Sequence, residues 1–210
     1  KSDESERERI PAKHQRAVLF LNNRYWVVID HISTNQPRKI EPLWHFSPKV
    51  KVNEDQTTVI ATDSSNNYFQ LIPAEPNRWN LDMVKGRENN QIQGWYSEKY
   101  NSKVPNYCAT YHTTQKDTSS TFAWVLYPSQ KVKQKVNVEV LPAPDGAYKI
   151  KIDSPNNPET IATVRFYGKE VPLTSGLKLD GKSAIEVNGQ KPKVANGVIR
   201  NENGKVVVED

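Results

Sequence analysis

The chain has 210 residues, of which 36% are hydrophobic and 25% are charged, so it can bury a core and is not wholly disordered. Its single cysteine, Cys108, excludes an intramolecular disulfide framework and a cysteine-based zinc cluster. No segment approaches the roughly 18 consecutive apolar residues that indicate a membrane-spanning helix. We therefore expect no membrane span.

The formal net charge is +5 and the isoelectric point is about 9.1, which favours polyanionic partners such as nucleic acid, acidic lipid or acidic polysaccharide. Lysine and arginine alternate with acidic residues along most of the chain, a pattern typical of an ordinary solvated surface. The sequence has no RNA-binding aromatic motif, Cys/His finger or recognition-helix pattern. We therefore do not expect nucleic acid as a partner.

Residues 1–13 (KSDESERERIPAK) are almost all charged or polar and are typical of a linker or a frayed helix end that stops at Pro11. We assign residues 1–12 to a linker. The chain does not begin with methionine and has no apolar signal peptide at its start. We therefore expect Lys1 to follow an internal cut, natural or engineered.

The strongest strand signal is a hairpin. Residues 17–21 and 25–30 are short runs of apolar, β-branched and aromatic residues on either side of the turn Asn22-Asn23-Arg24. Both runs are apolar on both faces, which predicts that the hairpin lies in the middle of a sandwich.

Further strands are predicted at short intervals, separated by clusters of Gly, Pro, Asn and Asp, over residues 43–47, 57–62, 68–72, 107–112, 121–127, 136–141, 148–152 and 160–166. After residue 168, four dipeptides predict tight hairpin turns, namely Asp180-Gly181, Asn188-Gly189, Asn196-Gly197 and Asn203-Gly204. The predicted fold is all-β: an antiparallel β-sandwich of two large sheets with a C-terminal β-meander.

The composition changes near residues 127–135, because all four histidines and all five tryptophans lie before that point. We assign residues 13–130 to a first β-sandwich region and residues 131–210 to a β-rich sheet or small domain that completes the sandwich. The asymmetry indicates a ligand-binding first part and a structural second part, or two sheets of one sandwich.

One cluster of candidate site residues lies on the hairpin. A three-residue loop places Arg16 opposite Asp30, with His14 diagonal to Asp30 on the same face. The later strand that ends in Trp44-His45 could bring a second imidazole to that face. Two imidazoles and a carboxylate would suit zinc or manganese, with a fourth position open to water.

Two other interpretations of this cluster stay open. The residues could form a plain Arg16–Asp30 cross-strand ion pair, with both histidines serving only as packed or exposed strand residues. A two-residue loop, Asn22-Asn23, would instead put Asp30 on the same side as Gln15 and remove the geometric argument.

A second candidate is the segment Gly94-Trp95-Tyr96-Ser97-Glu98-Lys99-Tyr100, whose aromatic rings could stack on the apolar faces of sugars. Alternatively, Trp95 and Tyr100 fill the core where a long loop returns to the sheet. Cysteine nucleophilic catalysis is not expected, because Cys108 and His112 would lie about 13 Å apart along a strand. The sequence contains no P-loop, GxGxxG or GxSxG motif.

The order of these motifs resembles the β-sandwich half of the bacterial heparinase II/III-like polysaccharide lyases, over about residues 13–130. The resemblance lies in His14-x-Arg16-x-Val18-x-Phe20, the YWVVID run at 25–30, Leu43-Trp44-His45-Phe46, Gly94-Trp95-Tyr96-Ser97 with Tyr100, and the FAWVLYP run at 122–128. Residues 131–210 are similar to the end of such enzymes in architecture only.

The resemblance implies a secreted or periplasmic bacterial enzyme that cleaves acidic, uronate-containing polysaccharide such as heparin or heparan sulfate by β-elimination. It implies an N-terminal α/α toroid packed against the sandwich, with the glycosaminoglycan bound in the cleft between them. The toroid supplies a tyrosine and a further polar residue, and the sandwich supplies a histidine. An all-β chain of 210 residues cannot include the toroid, so we expect no turnover by this chain alone.

The resemblance also assigns roles to particular residues. His14 matches the family's histidine at the sandwich entrance, which is catalytic in some members and binds metal in others. Asp30 and His45 match the other ligands of members that bind zinc, so one divalent metal is an expected cofactor.

The resemblance also implies which residues contact the glycan and which catalytic residue could be missing. Arg16 and the aromatic residues Trp95, Tyr96 and Tyr100 would contact the glycan. Some members have a second histidine two residues before the first, but this chain has Ala12 there, so a metal-binding His14 would leave it without that catalytic histidine. Two rival hypotheses are a non-catalytic carbohydrate-binding β-sandwich module and a purely structural sandwich.

Overall fold

A computed structural model describes residues 11–155 and 157–210, so most of the linker predicted for residues 1–12 lies outside the described residues. The regular structure of the described part is almost entirely antiparallel strand, with one short 3-10 turn at Pro76–Arg78. In chain order the strands are β1 (Ala12–Leu21), β2 (Tyr25–Thr34), β3 (Arg38–Ile40), β4 (Leu43–His45), β5 (Lys51–Asp55), β6 (Thr58–Thr62), β7 (Tyr68–Pro73), β8 (Asn80–Lys85), β9 (Trp95–Tyr96), β10 (Val104–Pro105), β11 (Tyr107–Gln115), β12 (Ser119–Ser129), β13 (Asn137–Leu141), β14 (Ala147–Asp153), β15 (Thr160–Arg165), β16 (Val171–Pro172), β17 (Lys178–Val187), β18 (Lys193–Arg200) and β19 (Val206–Glu209).

The central layer is a six-stranded sheet in the order β1-β2-β12-β7-β6-β5. Its first hairpin turns over three residues, 22–24, so that Leu21 pairs with Tyr25. Asn22 and Asn23 both have left-handed backbone conformations, with φ of 52° and 53°, which asparagine tolerates better than most residues. The three-residue loop is therefore the correct alternative, and the two-residue loop is wrong.

The hairpin lies at one side of this sheet. β2 has neighbours on both sides, but β1 is an edge strand, so the prediction of a central position is wrong for β1. The side chains of Val18 and Phe20 are 59% and 48% exposed. These two apolar side chains lie on the same face of β1, and the neighbouring sheets leave them largely exposed.

A seven-stranded sheet formed by β13–β19 covers one face of the central sheet. Its meander order, β13-β14-β15-β17-β18-β19 with β16 beside β17, confirms the predicted C-terminal β-meander. The two sheets share one core, in which Val27 and Val125 pack with Ile150 and Val164. These two large sheets form the predicted all-β sandwich.

A smaller sheet made of β3, β4, β8 and β11 covers the other face of the central sheet. A second core lies here around Trp124, whose ring centroid is 4.6 Å from that of Tyr111 and 5.1 Å from that of Trp79. The alternation of a strand sends successive side chains to opposite faces, so the sandwich core receives Val27 and the aromatic core receives Val28. Residues 25–29 are apolar on both faces, as expected for a strand in a sheet that is covered on both sides.

Two of the predicted turns are wrong. The dipeptides Asp180-Gly181 and Asn196-Gly197 lie inside β17 and β18, where Gly181 pairs with Gly197. A Cβ at Gly197 would overlap the backbone of Asp180, so these glycines permit a close approach of two strands.

The other two predicted turns are confirmed, since Asn188-Gly189 joins β17 to β18 and Asn203-Gly204 joins β18 to β19. The described residues include no helix long and apolar enough to cross a membrane.

Candidate functional site

Three residues of the predicted cluster meet on the β1–β2 hairpin. Arg16 pairs with Asp30 across the strands. His14 lies two residues before Arg16 on β1, so its side chain is on the same face of the strand. The Nε2 atom of His14 lies 2.6 Å from Oδ1 of Asp30. Arg16 donates from Nε to the same oxygen at 2.6 Å and from its terminal nitrogen Nη2 to Oδ2 at 3.1 Å.

The burial of these groups differs sharply. The side chain of Asp30 is 1% exposed, whereas those of His14 and Arg16 are 52% and 49% exposed. A carboxylate only accepts hydrogen bonds, so its contact places a proton on Nε2 of His14 and leaves the lone pair of the neutral ring on Nδ1. The buried Asp30 thus orients an accessible imidazole and an accessible guanidinium.

A cleft of about 410 Å³ opens beside this cluster. Arg38 and Lys39 line it together with Arg16, and Leu43 and Phe122 supply apolar wall. Lys39 pairs with Glu41 at 2.7 Å, and the described residues that line the cleft include three cations and two carboxylates. Such a wall suits a ligand that carries both anionic groups and apolar faces.

The sequence did not single out Arg38 or Lys39 as candidate site residues. Their strand, β3, pairs with the far end of β11, where Gln115 lies opposite Arg38. The sequence signal that bears on them is the net excess of basic residues, and it does not indicate where along the chain a basic site lies.

His45 does not join this cluster. It pairs with Cys108 across β4 and β11, and its Nε2 lies 3.6 Å from the sulfur of Cys108 and 3.5 Å from Nε2 of Gln93. Over residues 11–155 and 157–210 no three His, Cys, Asp or Glu side chains are grouped to hold a metal ion. The arrangement of His14, Asp30 and His45 therefore does not fit a shared metal ion, and the expected divalent metal stays a prediction.

The predicted aromatic segment forms a surface loop. Trp95 is half-buried, donates from Nε1 to the carbonyl of Arg87 at 3.1 Å and packs under the ammonium of Lys103. Tyr96 is 41% exposed and Tyr100 is fully exposed, so Tyr100 does not fill the core. Among the described residues that line the His14 cleft, none comes from this loop.

Cys108 is fully buried, and this burial raises the pKa of its thiol. A protonated, inaccessible thiol is a poor nucleophile, which agrees with the expectation from the sequence. Its nearest imidazole is that of His45 rather than that of His112. The sequence could not reveal this pair, because the two residues are 63 positions apart and meet only through the register of β4 and β11.

The fold and the cleft define an antiparallel β-sandwich whose edge hairpin presents an oriented histidine beside a basic groove. The family model described as "Heparinase II/III-like, C-terminal" matches residues 5–125, more than half of the chain. The chain belongs to this family. No curated protein sequence matches the chain.

Solved structures with a similar fold include heparan sulfate lyase HepC from Pedobacter heparinus, with a TM-score of 0.63 and 18% identity over 75% of this chain. Two structures described as heparinase III give TM-scores of 0.60 and 0.61 at 17% and 13% identity, each over 73% of this chain. In all three cases the chain covers 24% of the matched structure, so it spans about a quarter of their length.

Proposed function

We propose that this chain is the C-terminal β-sandwich of a polysaccharide lyase that cleaves uronate-containing polysaccharide, such as heparan sulfate, by β-elimination. An N-terminal α/α toroid of the same polypeptide would form the opposite wall of the cleft. The observation that carries the proposal is the exposed imidazole of His14, held by the buried carboxylate of Asp30 beside Arg16.

The proposed reaction places clear demands on the site. A base removes the proton from C5 of the uronate, the electron pair of that C–H bond forms the C4=C5 double bond, and the C4–O bond breaks. The leaving oxygen takes a proton from an acid. The uronate carboxylate must be neutralised for C5 to become acidic enough, and positioned charges and proton donors achieve this.

The residues of this chain meet part of these demands. His14 has the lone pair on Nδ1 available for a proton transfer or a hydrogen bond to substrate, while Asp30 fixes the ring. Arg16 presents its guanidinium to the carboxylate of the substrate, and Arg38 and Lys39 lie where further anionic groups of the polymer would pass. The complementary acid or base would come from the toroid, so the 210-residue chain alone should release no product.

A secreted or periplasmic location belongs to this proposal, because a polymeric substrate of this kind cannot enter a cell intact. We propose this polyanion rather than nucleic acid, because the aromatic residue in the described lining, Phe122, is only 2% exposed and offers little ring surface for a base to stack on.

The test is an assay of the whole polypeptide on heparan sulfate, following the absorbance of the unsaturated uronate product. We expect His14→Ala to lower kcat by about a hundredfold or more, the scale of lost proton-transfer catalysis. His112→Ala is the matched control, because His112 is 28% exposed on β11 and lies outside the cleft. No product from any uronate polymer, or equal activity of the two variants, would overturn the proposal.

A further inference from the structure

Three large apolar side chains are exposed together near the turn of the first hairpin. Val18, Phe20 and Trp26 are 59%, 48% and 37% exposed. Phe20 pairs with Trp26 across the strands, and their rings stack with centroids 4.8 Å apart. We call these three residues the apolar platform. Contiguous exposed apolar surface of this kind commonly marks a binding site.

The apolar platform lies on the same face of the hairpin as the His14 cluster. Val18 and Phe20 follow Arg16 at every second position of β1, so the three side chains point to one face. Arg16 and Phe20 are four residues apart, which is about 13 Å at the rise of a strand. An exposed guanidinium and a pair of stacked rings therefore lie at the two ends of one strip, with Val18 between them.

The strip is open along the edge strand and closed above its neighbour. Val28, which pairs with Val18, is 5% exposed because it packs in the aromatic core under the small sheet. Since β1 has no strand on its other side among the described residues, the side chains of Val18 and Phe20 stay accessible from that side. A long ligand that occupies the His14 cleft can therefore continue along β1 without displacing any part of the sandwich.

We propose that the apolar platform is a further subsite for the polysaccharide, which holds sugar residues beyond the bond that is cleaved. This inference rests on the proposed lyase function. A polymer cut beside His14 has sugars on both sides of the broken bond, so the parts outside the cleft must pass over neighbouring surface. The acidic groups of the chain meet Arg16, and the apolar faces of the sugar rings pack on Val18 and on the ring pair.

The test is a titration of the whole polypeptide with a heparan sulfate decasaccharide, with His14→Ala present in every sample to prevent cleavage. We expect Val18→Glu to raise the Kd about tenfold, because it replaces apolar surface with a charge of the same sign as the ligand. Val132→Glu is the matched control, since Val132 is 61% exposed between β12 and β13, and it should leave the Kd within twofold.

The length of the ligand separates the platform from the cleft. A disaccharide that fills the cleft does not reach the platform, so it should bind Val18→Glu and the unaltered residue with Kd values within twofold of each other. Trp26→Ala should weaken decasaccharide binding at least threefold, and Trp26→Phe should restore most of that loss because it keeps an aromatic ring. An equal effect of Val18→Glu on both ligands would place its action in the cleft and overturn the inference.

The sign of the new charge separates a glycan from a protein occupant. Val18→Lys should bind the decasaccharide within threefold of the unaltered residue, because a cation is compatible with an anionic chain. If Val18→Glu and Val18→Lys instead lower the melting temperature equally or change the oligomeric state, the platform is covered by the toroid or by a second copy of the chain, and the inference is overturned. A decasaccharide Kd that is unchanged in Val18→Glu would overturn this inference alone, whereas the proposed function fails when no uronate polymer yields product.

Discussion

At the scale of single residues, the most constrained charge in the described site is that of Asp30. It is 1% exposed, and its two oxygens accept from His14 and Arg16. An unpaired carboxylate at this depth would be costly, so the cross-strand arginine and the carboxylate depend on each other. The same contact that stabilises the hairpin also orients the histidine.

We expect Asp30→Asn to lower the free energy of unfolding by about 1–3 kcal/mol, because it removes hydrogen bonds to a charged group. Urea unfolding of the chain measures this loss. Asp55→Asn is the control, since the Asp55–Lys133 pair at 3.5 Å is exposed and should contribute less than about 1 kcal/mol. Equal losses in the two variants would contradict the role assigned to Asp30.

His31 is the other residue with a distinct electrostatic environment. It is 2% exposed, its ring stacks on Phe166 at 5.1 Å, and both its nitrogens are hydrogen-bonded, to Thr121 Oγ1 and Ser33 Oγ. Burial lowers the pKa of His31, with a smaller opposing effect from Asp145. Since Phe166 follows β15, the histidine lies where the seven-stranded sheet packs on the central sheet.

The pH dependence of stability follows from this lowered pKa. In the unfolded chain His31 has its ordinary pKa near 6.5, so as the pH falls the unfolded state takes up the proton first. The contribution of His31 is therefore fully present above about pH 6.5 and is lost as the pH falls through that value towards the lower pKa of the folded state. Urea midpoints measured between pH 8 and pH 5 should fall less steeply for His31→Gln than for the unaltered chain, and identical slopes would contradict this prediction.

At the scale of elements, the loop between β8 and β11 depends on one glycine. Gly94 has φ of +79°, and a Cβ there would lie 2.9 Å from the backbone of Lys85 and of Gly86. Its carbonyl accepts from the amides of Gly86 and Asn106, both at 2.9 Å. The base of the aromatic loop is thus closed by a backbone contact that no other residue type fits.

We expect Gly94→Ala to lower the free energy of unfolding by about 2–3 kcal/mol, because it adds a backbone overlap to the cost of a left-handed residue. Gly189→Ala is a matched control, since Gly189 has φ of +76° and nothing within 4 Å of the added Cβ. The control should lose only about 1 kcal/mol. Thermal or urea unfolding distinguishes the two, and equal losses would show that the overlap is relieved by movement of the loop.

The elements also show which parts of the fold the sequence predicts. Strands with two apolar rows, such as β2 and β12, are covered on both sides and have strong hydrophobic signals. β5 (KVNED) and β8 (NLDMVK) lie in outer positions with polar residues in alternation, and their weak signals were missed. Turn dipeptides predicted two real hairpins, but the same residue types at Gly181 and Gly197 allow close strand approach instead.

The candidate site was predictable where its residues share one hairpin. His14, Arg16 and Asp30 are related by a single hairpin, so a local loop length fixes their register. His45 is placed by the pairing of β4 with β11, which no local pattern specifies, and the structure puts it beside Cys108. Hairpin geometry can be read from a sequence, whereas contacts between distant strands cannot.

At the scale of the whole molecule, the central sheet joins two cores. Its strands β2 and β12 contribute to the core shared with the seven-stranded sheet and to the aromatic core under the small sheet. The chain passes from one region to the other at residues 130–136, which form no strand. Because Ile150 and Val164 pack directly with Val27 and Val125, the C-terminal sheet should unfold together with the first part.

This coupling can be tested because all five tryptophans lie in the first part of the chain. Ile150 is fully buried in the shared core, and Ile150→Ala should lower the free energy of unfolding by about 2–5 kcal/mol. If the sheets unfold as one unit, tryptophan fluorescence and far-ultraviolet circular dichroism will give the same urea midpoint, shifted equally by this distant substitution. Val206→Ala, at a position 38% exposed on β19, is the control and should leave both midpoints nearly unchanged. The contrary result has two parts: Ile150→Ala leaves the fluorescence midpoint unchanged, and the circular dichroism signal is lost in two steps. It would mean that the C-terminal sheet is an independent unit.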